Sequence, residues 1–248
     1  ADNLLDEKVV PPKPLQIIAA GWGAAGANWF FDFPLSAAKT IEFFETSGPY
    51  DGKATFDAAV AVSPKVLGDM LRLTGPIKLN ESNLILNQDN FLPELQKHVQ
   101  FSRSRRSTYP KEVLRELVPA IVARLAAFDS SKNSEFLNLT ARWIEEKDLM
   151  VYFKNKDLEE LADYSGASGA AYSPPASFTG DYLAIVDANI GSGKTDFVIE
   201  QDVVLSSQIG SDGMVTDHLI VERRHTGNKS QYSWYKIANE NYLQIYVP

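Results

Sequence analysis

The hydrophobic period of the chain changes at residues 165–180, a stretch composed mainly of Gly, Ala, Ser and Pro. Before it, apolar residues recur at helical spacing between short apolar runs, whereas after it they alternate with period two. Such a change predicts an α/β layered part followed by an antiparallel β part. We therefore predict an extended, proline-rich lead-in over 1–16, an α/β domain over 17–164, a linker over 165–180 and an antiparallel β region over 181–248.

Capping residues mark the starts of three predicted helices. The first helix has Asp32 or Phe33 as its cap and Pro34 in its first turn. Ser63 is the cap before Pro64, and Asn155 is the cap of a short charged helix. In the first helix the apolar residues that repeat at helical spacing are Leu35, Ala38, Ile41 and Phe44. The run 58–62 is apolar on both faces, which predicts a central strand. Phe197 to Ile209 alternates and is followed by a Gly-Ser-Asp-Gly turn, which predicts a hairpin strand.

Composition excludes several classes of protein. With 24 Lys+Arg against 32 Asp+Glu the chain carries −8, so we expect no general nucleic-acid binding. It contains no Cys, which excludes disulfides, cysteine nucleophiles and thiolate metal sites. No apolar run approaches the roughly 20 residues that span a bilayer. The first residues lack a signal-peptide pattern, so we expect a mature or trimmed product.

Residues 188–195 fit a loose phosphate-loop pattern, with Ala in the first Gly position. A phosphate loop needs a following helix whose amides converge on the phosphates. The next residues instead predict a strand, so we reject nucleotide binding. The same loop carries Asp187, Asn189 and Asp196, whose side-chain oxygens are the kind of ligand atom that Ca²⁺ binds. The sixth and twelfth positions of an EF-type loop are not matched, which favours turn capping over a metal site. We predict no other metal ligand.

Positive charge is concentrated at one place in this acidic chain. Arg103, Arg105 and Arg106 lie close together, and Lys111 and Arg115 follow four residues apart at the start of the next predicted helix. Arginines near a helix N-terminus bind phosphate or carboxylate groups. A charge run is also typical of a solvated loop between helices. Both interpretations stay open, as an anion site or as a solvated loop.

Five sequence blocks resemble a bacterial cell-surface family known only as a domain of unknown function. They are Asn28-Trp29-x-x-Asp32-Phe33-Pro34-x-Ser36-Ala37, then residues 59–64, 73–77, 181–196 and 241–248. The family's members carry an N-terminal membrane anchor and face outward. The resemblance therefore implies an extracellular location at the bacterial surface, with an anchor absent from this chain. It also implies a missing upstream segment with which these residues associate.

A second similarity is to the LytR–CpsA–Psr phosphotransferases, which transfer polyprenyl-linked glycopolymers. It rests on the order of elements from a helix at 36–45 to the long helix after Tyr109-Pro110-Lys111. The similarity implies a layered α/β sandwich followed by the C-terminal β region. The family's arginines are not matched, since Gln96, His98 and Leu114 stand at aligned positions and only Lys111 replaces one of them. The resemblance thus implies the fold more than the activity.

Two functions follow from these observations. The first is a non-catalytic module of the cell envelope that binds or scaffolds surface polymers or proteins, with aromatics such as Trp22, Trp29, Trp143 and Trp234 available to stack on sugars. The alternative is a glycopolymer phosphotransferase or polyprenyl-phosphate binder that uses the arginine cluster. We expect no cofactor under the first, and Mg²⁺ only under the second. Expected partners are an envelope glycopolymer, a lipid phosphate or a surface protein.

Overall fold

The computed structural model describes residues 9–48, 50, 53–104, 112–127, 130–191 and 193–247. In this part the chain is mixed α/β, with six α-helices and four antiparallel strand pairs, which confirms the predicted fold class. The chain divides into two compact units. The N-terminal unit includes Gly23–Tyr172, and the C-terminal unit combines Glu7–Trp22 with the residues from Ser173 onward. The domain boundaries drawn from composition stay a prediction.

The N-terminal unit contains all six helices and two strand pairs. In chain order its elements are α1 (Phe33–Glu45), β1 (Ala58–Val62), α2 (Pro64–Thr74), β2 (Ile77–Leu79), β3 (Leu84–Leu86), α3 (Phe91–Ser104), α4 (Glu112–Ala126), α5 (Asn133–Glu145), β4 (Leu149–Phe153) and α6 (Lys156–Tyr164). No helix in the described residues is both long and apolar enough to cross a membrane.

Local capping explains where three of these helices begin. The side chains of Asp32, Ser63 and Asn155 each accept a hydrogen bond from a backbone amide two or three residues further on, at 3.0, 3.2 and 3.0 Å. These bonds satisfy amides that have no partner inside the helix. Asp32, and not Phe33, is therefore the cap of α1.

Asp32 also ties the start of α1 to a distant loop. Its Oδ1 accepts the amide of Leu35 at 3.0 Å, and its Oδ2 accepts the amide of Ala171 at 3.2 Å. We expect Asp32→Ala to lower the free energy of unfolding by about 1–2 kcal/mol, because both amides lose their acceptor. Asp32→Ser retains a cap and is expected to lose less. Urea unfolding checks this, and an Ala variant as stable as the parent would contradict it.

Two buried clusters hold the helices of the N-terminal unit together, and α2 contributes to both. The first packs α2, α3 and α4 on the β2–β3 hairpin, with Leu71, Leu86 and Leu117 almost fully buried. The second packs α2 on α5 through four residues, Val66, Leu73, Leu139 and Trp143. The helix thus buries both sides of its apolar stripe.

β1 and β4 form a two-stranded antiparallel sheet, in which Val60 lies opposite Val151. The prediction of a central strand for 58–62 is therefore wrong in the described residues, because β1 pairs on one side alone. Small and β-branched side chains favour a strand without deciding how many neighbours it has.

The C-terminal unit is antiparallel, as expected. Its strands are β5 (Ala184–Asn189), β6 (Ile199–Ile209), β7 (Val215–His225) and β8 (Asn241–Tyr246), paired β5–β8 and β6–β7. The sequence predicts a strand from Phe197, but β6 begins two residues later, because Thr195–Val198 form one 3-10 turn. That single turn leads directly into an antiparallel strand, so the helix a phosphate loop needs does not follow.

Several carboxyl groups of the N-terminal unit have lowered pKa values, and Glu45 and Asp148 are two of them. The ammonium of Lys154, 2.7 Å from Glu45, is the main cause that lowers the pKa of Glu45 below its ordinary 4.5. A hydrogen bond from the Ser63 hydroxyl, and then the nearby Lys65, lower the pKa of Asp148 below its ordinary 3.8. Both carboxylates are therefore favoured in the folded state over the unfolded state.

This pattern sets the direction of the pH dependence. The stabilisation of the folded state by the ionised Glu45 and Asp148 is fully present above their ordinary pKa values. It is lost as pH falls through their lowered pKa values in the folded state. We expect the melting temperature of the N-terminal unit to fall progressively below about pH 4. Glu45→Gln is expected to reduce that fall. Circular dichroism melts between pH 6 and 2 measure it, and a melting temperature that rises on acidification would contradict the assignment.

Candidate functional site

The predicted arginine cluster lies largely outside the described residues. α3 extends to Ser104 and so includes the backbone of Arg103. Arg105, Arg106 and Lys111 lie outside the described part. Arg115 is exposed on α4, whose buried side is formed by residues such as Leu117. An anion site at these residues stays a prediction.

The three side chains considered for calcium bond to amide groups instead. Asp187 accepts from the side-chain amides of Gln201 and Asn241 at 2.8 and 2.7 Å. Asn189 donates to Asp196 at 3.1 Å and accepts the Gly191 amide at 3.1 Å. Among the described residues no cluster of three His, Asp or Glu is suited to a metal. These contacts give the side chains a role in shaping the loop, and the calcium alternative stays a prediction.

Asn239 connects this loop to the second half of the unit. Its side-chain amide donates to Asp196 at 3.0 Å and to the hydroxyl of Thr195 at 3.1 Å. Thr195 is fully buried. The loop after β5 is thereby fixed against the segment before β8, because buried polar groups with satisfied partners resist displacement.

A largely open depression of about 480 Å³ lies beside Asn239, and we call it the Arg223 cavity. Its wall comes from the start of β6, the end of β7 and the segment that precedes β8. The lining residues are Ile199, Arg223, His225, Asn228, Lys236, Ile237, Ala238 and Asn239. Among the described residues the wall contains two cationic side chains, two amides and no carboxylate.

Arg223 is the most constrained charged group of this wall. Its side chain is only 21% exposed, and its Nε lies 3.6 Å from an oxygen of Asp187. Its Nη1 donates to Asn239 at 3.3 Å, while the buried Nε has no hydrogen-bond partner in the described residues. A guanidinium carries five N–H donors, and burying unused ones is unfavourable. Donors therefore remain for an anion, although Asp187 offsets part of the charge.

His225 has a structural role in the wall. Its Nδ1 accepts the Gly227 amide at 3.3 Å, and its Nε2 lies 3.0 Å from the Ile237 carbonyl oxygen. An acceptor at Nδ1 and a donor at Nε2 together specify the neutral tautomer with its proton on Nε2. Because both nitrogens are used, the ring holds the segment before β8 against β7.

Aromatic side chains directly precede Lys236 along the chain. Tyr232 and Trp234 stack with ring centroids 4.6 Å apart, and Phe197 stacks on Tyr235 at 5.8 Å. Tyr235 is buried, while Tyr232 and Trp234 are half-buried. The half-buried pair offers ring surface next to the segment that lines the cavity.

Residues 8–99 match the family described as Protein of unknown function (DUF4012). This match supports the predicted resemblance to that family over residues 8–99. The DUF4012 match covers α1 through most of α3 and stops before the residues of the Arg223 cavity. No curated protein and no solved structure matches the chain. The similarity to the LytR–CpsA–Psr enzymes stays a prediction.

Sequence reasoning missed the Arg223 cavity. Arg223 and Asn239 are 16 residues apart, and neither stands in a charged run or a known motif. The alternation of β7 places Arg223 on the same face as His225, which was a usable signal. The partner segment before β8 has no period that indicates where it folds.

Proposed function

We propose that the chain is a non-catalytic binding module of the bacterial cell envelope, and that its Arg223 cavity holds an anionic group of a surface glycopolymer. The observation that carries the site is the guanidinium of Arg223, which lines the cavity and whose buried Nε has no hydrogen-bond partner in the described residues, although it lies 3.6 Å from Asp187. The envelope location rests on the family resemblance.

The chemistry of the wall suits a phosphate or carboxylate attached to a sugar. A guanidinium binds such groups through paired N–H donors, and its planar shape gives direction to the contact. Lys236 adds an exposed ammonium, and Asn228 adds an amide. A volume of about 480 Å³ lies within the ordinary range for small-ligand sites. Tyr232 and Trp234 offer ring surface to the sugar.

The same wall favours binding over reaction. Its histidine uses both ring nitrogens to hold the backbone, so it is not available as a general base. Among the described residues lining the cavity there is no Ser, Thr, Asp or Glu. A nucleophile paired with a base, the usual arrangement for group transfer, is thus not formed by this wall.

The test compares two neighbouring arginines of β7. Arg223 lines the cavity, while the adjacent Arg224 is exposed and pairs with Glu200. We expect an oligomer of glycerol phosphate to bind the parent protein, and Arg223→Ala to weaken binding at least tenfold. Arg224→Ala is expected to bind as the parent does, because successive residues point to opposite faces.

Isothermal titration calorimetry at two salt concentrations measures both variants. Binding is expected to weaken with salt, because part of the attraction is between charges that ions screen. Equal losses of affinity in the two variants would indicate nonspecific charge attraction and contradict a site at Arg223. A parent protein that does not bind the oligomer would also overturn the proposal. Thermal melts of each variant establish that it is folded.

The phosphotransferase or polyprenyl-phosphate alternative depends on Arg103, Arg105, Arg106, Lys111 and Arg115. No contact among the described residues favours it over binding in the Arg223 cavity. It stays a prediction, with Mg²⁺ as its expected cofactor.

A further inference from the structure

β1 leaves one edge of its sheet unpaired in the described residues. The amides of Ser63 and Lys154 bond to the carbonyl oxygens of Asp148 and Asp57, each at 2.8 Å, which fixes the ladder between β1 and β4. Because bonding alternates along an antiparallel strand, the N–H and C=O groups of 58, 60 and 62 point away from β4. No hydrogen bond in the described part satisfies those outward groups.

The opposite edge of the same sheet is covered. The outward amide of Val151 donates to the Ala167 carbonyl at 2.9 Å, and that of Phe153 donates to the Glu159 carboxylate at 2.7 Å. Among the described residues the N-terminal unit therefore covers the β4 edge and leaves the β1 edge without a neighbouring strand. Proteins usually protect sheet edges, since an unpaired edge accepts a further strand.

Apolar side chains accompany the unpaired backbone. Val60 is 62% exposed and Val62 is 46% exposed. Their spacing of two places both on one face of the strand. An added strand with an apolar side chain at every second position would cover them while its backbone satisfies β1.

Both ends of β1 carry an excess of acidic groups. At the start of the strand the Glu45 carboxylate pairs with Lys154, and Asp57 adds a second, exposed acidic residue. At its end Glu146 and Asp148 both pair with Lys65, while the neighbouring Lys147 donates to the Gly166 carbonyl. A strand with basic residues on both flanks would match these charges.

We propose that the β1 edge binds an extended peptide of a partner protein, with apolar residues at alternate positions in its centre and basic residues on both flanks. The edge has five residues. Pairing of two copies through this edge alone would cover far less than the roughly 800 Å² per partner of a standard interface. Two copies would also bring like acidic flanks together, which disfavours a dimer.

The probe is a fluorescent peptide of five alternating Val and Thr residues with two Lys at each end. We expect it to bind the parent protein in an anisotropy titration. Val60→Pro removes one outward N–H without touching the bonds to β4, and it is expected to weaken binding at least tenfold. Val60→Lys is expected to weaken binding through charge repulsion. Val118→Lys, an exposed change on α4, is the control and is expected to bind as the parent does.

A second comparison uses the parent protein alone, so that it holds even if a variant fails to fold. A peptide N-methylated at alternate amides loses its donors and is expected to lose binding. Equal binding of the methylated peptide would overturn the proposal, as would equal binding by Val60→Pro. A peptide with acidic residues at both ends that bound as tightly as the Lys-flanked peptide would show that the acidic groups beside β1 do not select basic flanks. A dimer near twice 27.5 kDa in sedimentation, abolished by Val60→Pro, would replace the peptide with a second copy.

Discussion

Replacing Trp143 with Ala is expected to lower the free energy of unfolding of the N-terminal unit by about 3–5 kcal/mol. The indole is 1% exposed and packs against Val66, Leu73 and Leu139. Its removal leaves a cavity between α2 and α5 that rigid neighbours cannot fill completely. The large loss therefore combines the lost apolar burial with the unfilled space.

A polar contact adds to this effect. The indole Nε1 donates to Asp69 at 2.9 Å, and the same carboxylate oxygen accepts Arg142 at 2.7 Å. Trp143→Phe retains most of the apolar volume but loses that donor, so its expected loss is smaller, about 1–2 kcal/mol. Leu137→Ala, at an exposed position on α5, is the control and is expected to change little. Denaturant unfolding measures all three, and a Trp143→Ala variant as stable as the Leu137 control would contradict the packing described above.

Gly227→Ala is expected to destabilise the C-terminal unit by about 3 kcal/mol and to remove binding in the Arg223 cavity. A Cβ at Gly227 would lie 1.9 Å from the Tyr235 carbonyl oxygen and 2.7 Å from the His225 ring. The first of these is a backbone atom, so the two segments would have to separate. The amide of Gly227 also donates to His225, so separation would disturb the cavity wall.

Gly213 provides the matched control in the same unit. It lies in the β6–β7 turn with φ 82°, and an added Cβ would have no atom within 4 Å. Gly213→Asn is expected to stay within about 0.5 kcal/mol of the parent, because Asn tolerates this backbone region. Thermal unfolding and the calorimetric titration together measure the pair. A Gly227→Ala variant that melts and binds like the parent would show that the close approach at Tyr235 is wrong.

The parts of the fold that depend on neighbouring residues were predictable. Asp32, Ser63 and Asn155 cap helices through contacts two or three residues away, so their effect is visible in the sequence. The switch to period two likewise predicted the antiparallel C-terminal strands. For α1 the apolar repeat marks the buried face only in part, since Ile41 is buried while Leu35 is 57% exposed, and Phe33 and Ala37 are buried outside the repeat. Several faces of α1 are apolar, so its pattern alone does not select one.

The parts that depend on distant pairing were not predictable. The apolar run 58–62 shows that a strand forms, but its number of neighbours depends on residues far along the chain. In the same way the arginine cluster was conspicuous because its members are adjacent in sequence. Arg223 and Asn239 meet only after β7 turns away and the chain returns before β8. Such a site has no local signature, because tertiary contacts create it.

Nuclear magnetic resonance of the isotope-labelled chain, titrated with the glycerol phosphate oligomer, locates the residues that bind the anion. Binding in the Arg223 cavity predicts that the largest amide shifts fall on residues 223–239, with no comparable shifts around Arg115. The Gly227 amide is expected to shift together with the ring resonances of His225, because it donates a hydrogen bond to the ring Nδ1. Shifts confined to residues 103–115 would instead locate binding at the arginine cluster and contradict the assignment of the site to Arg223.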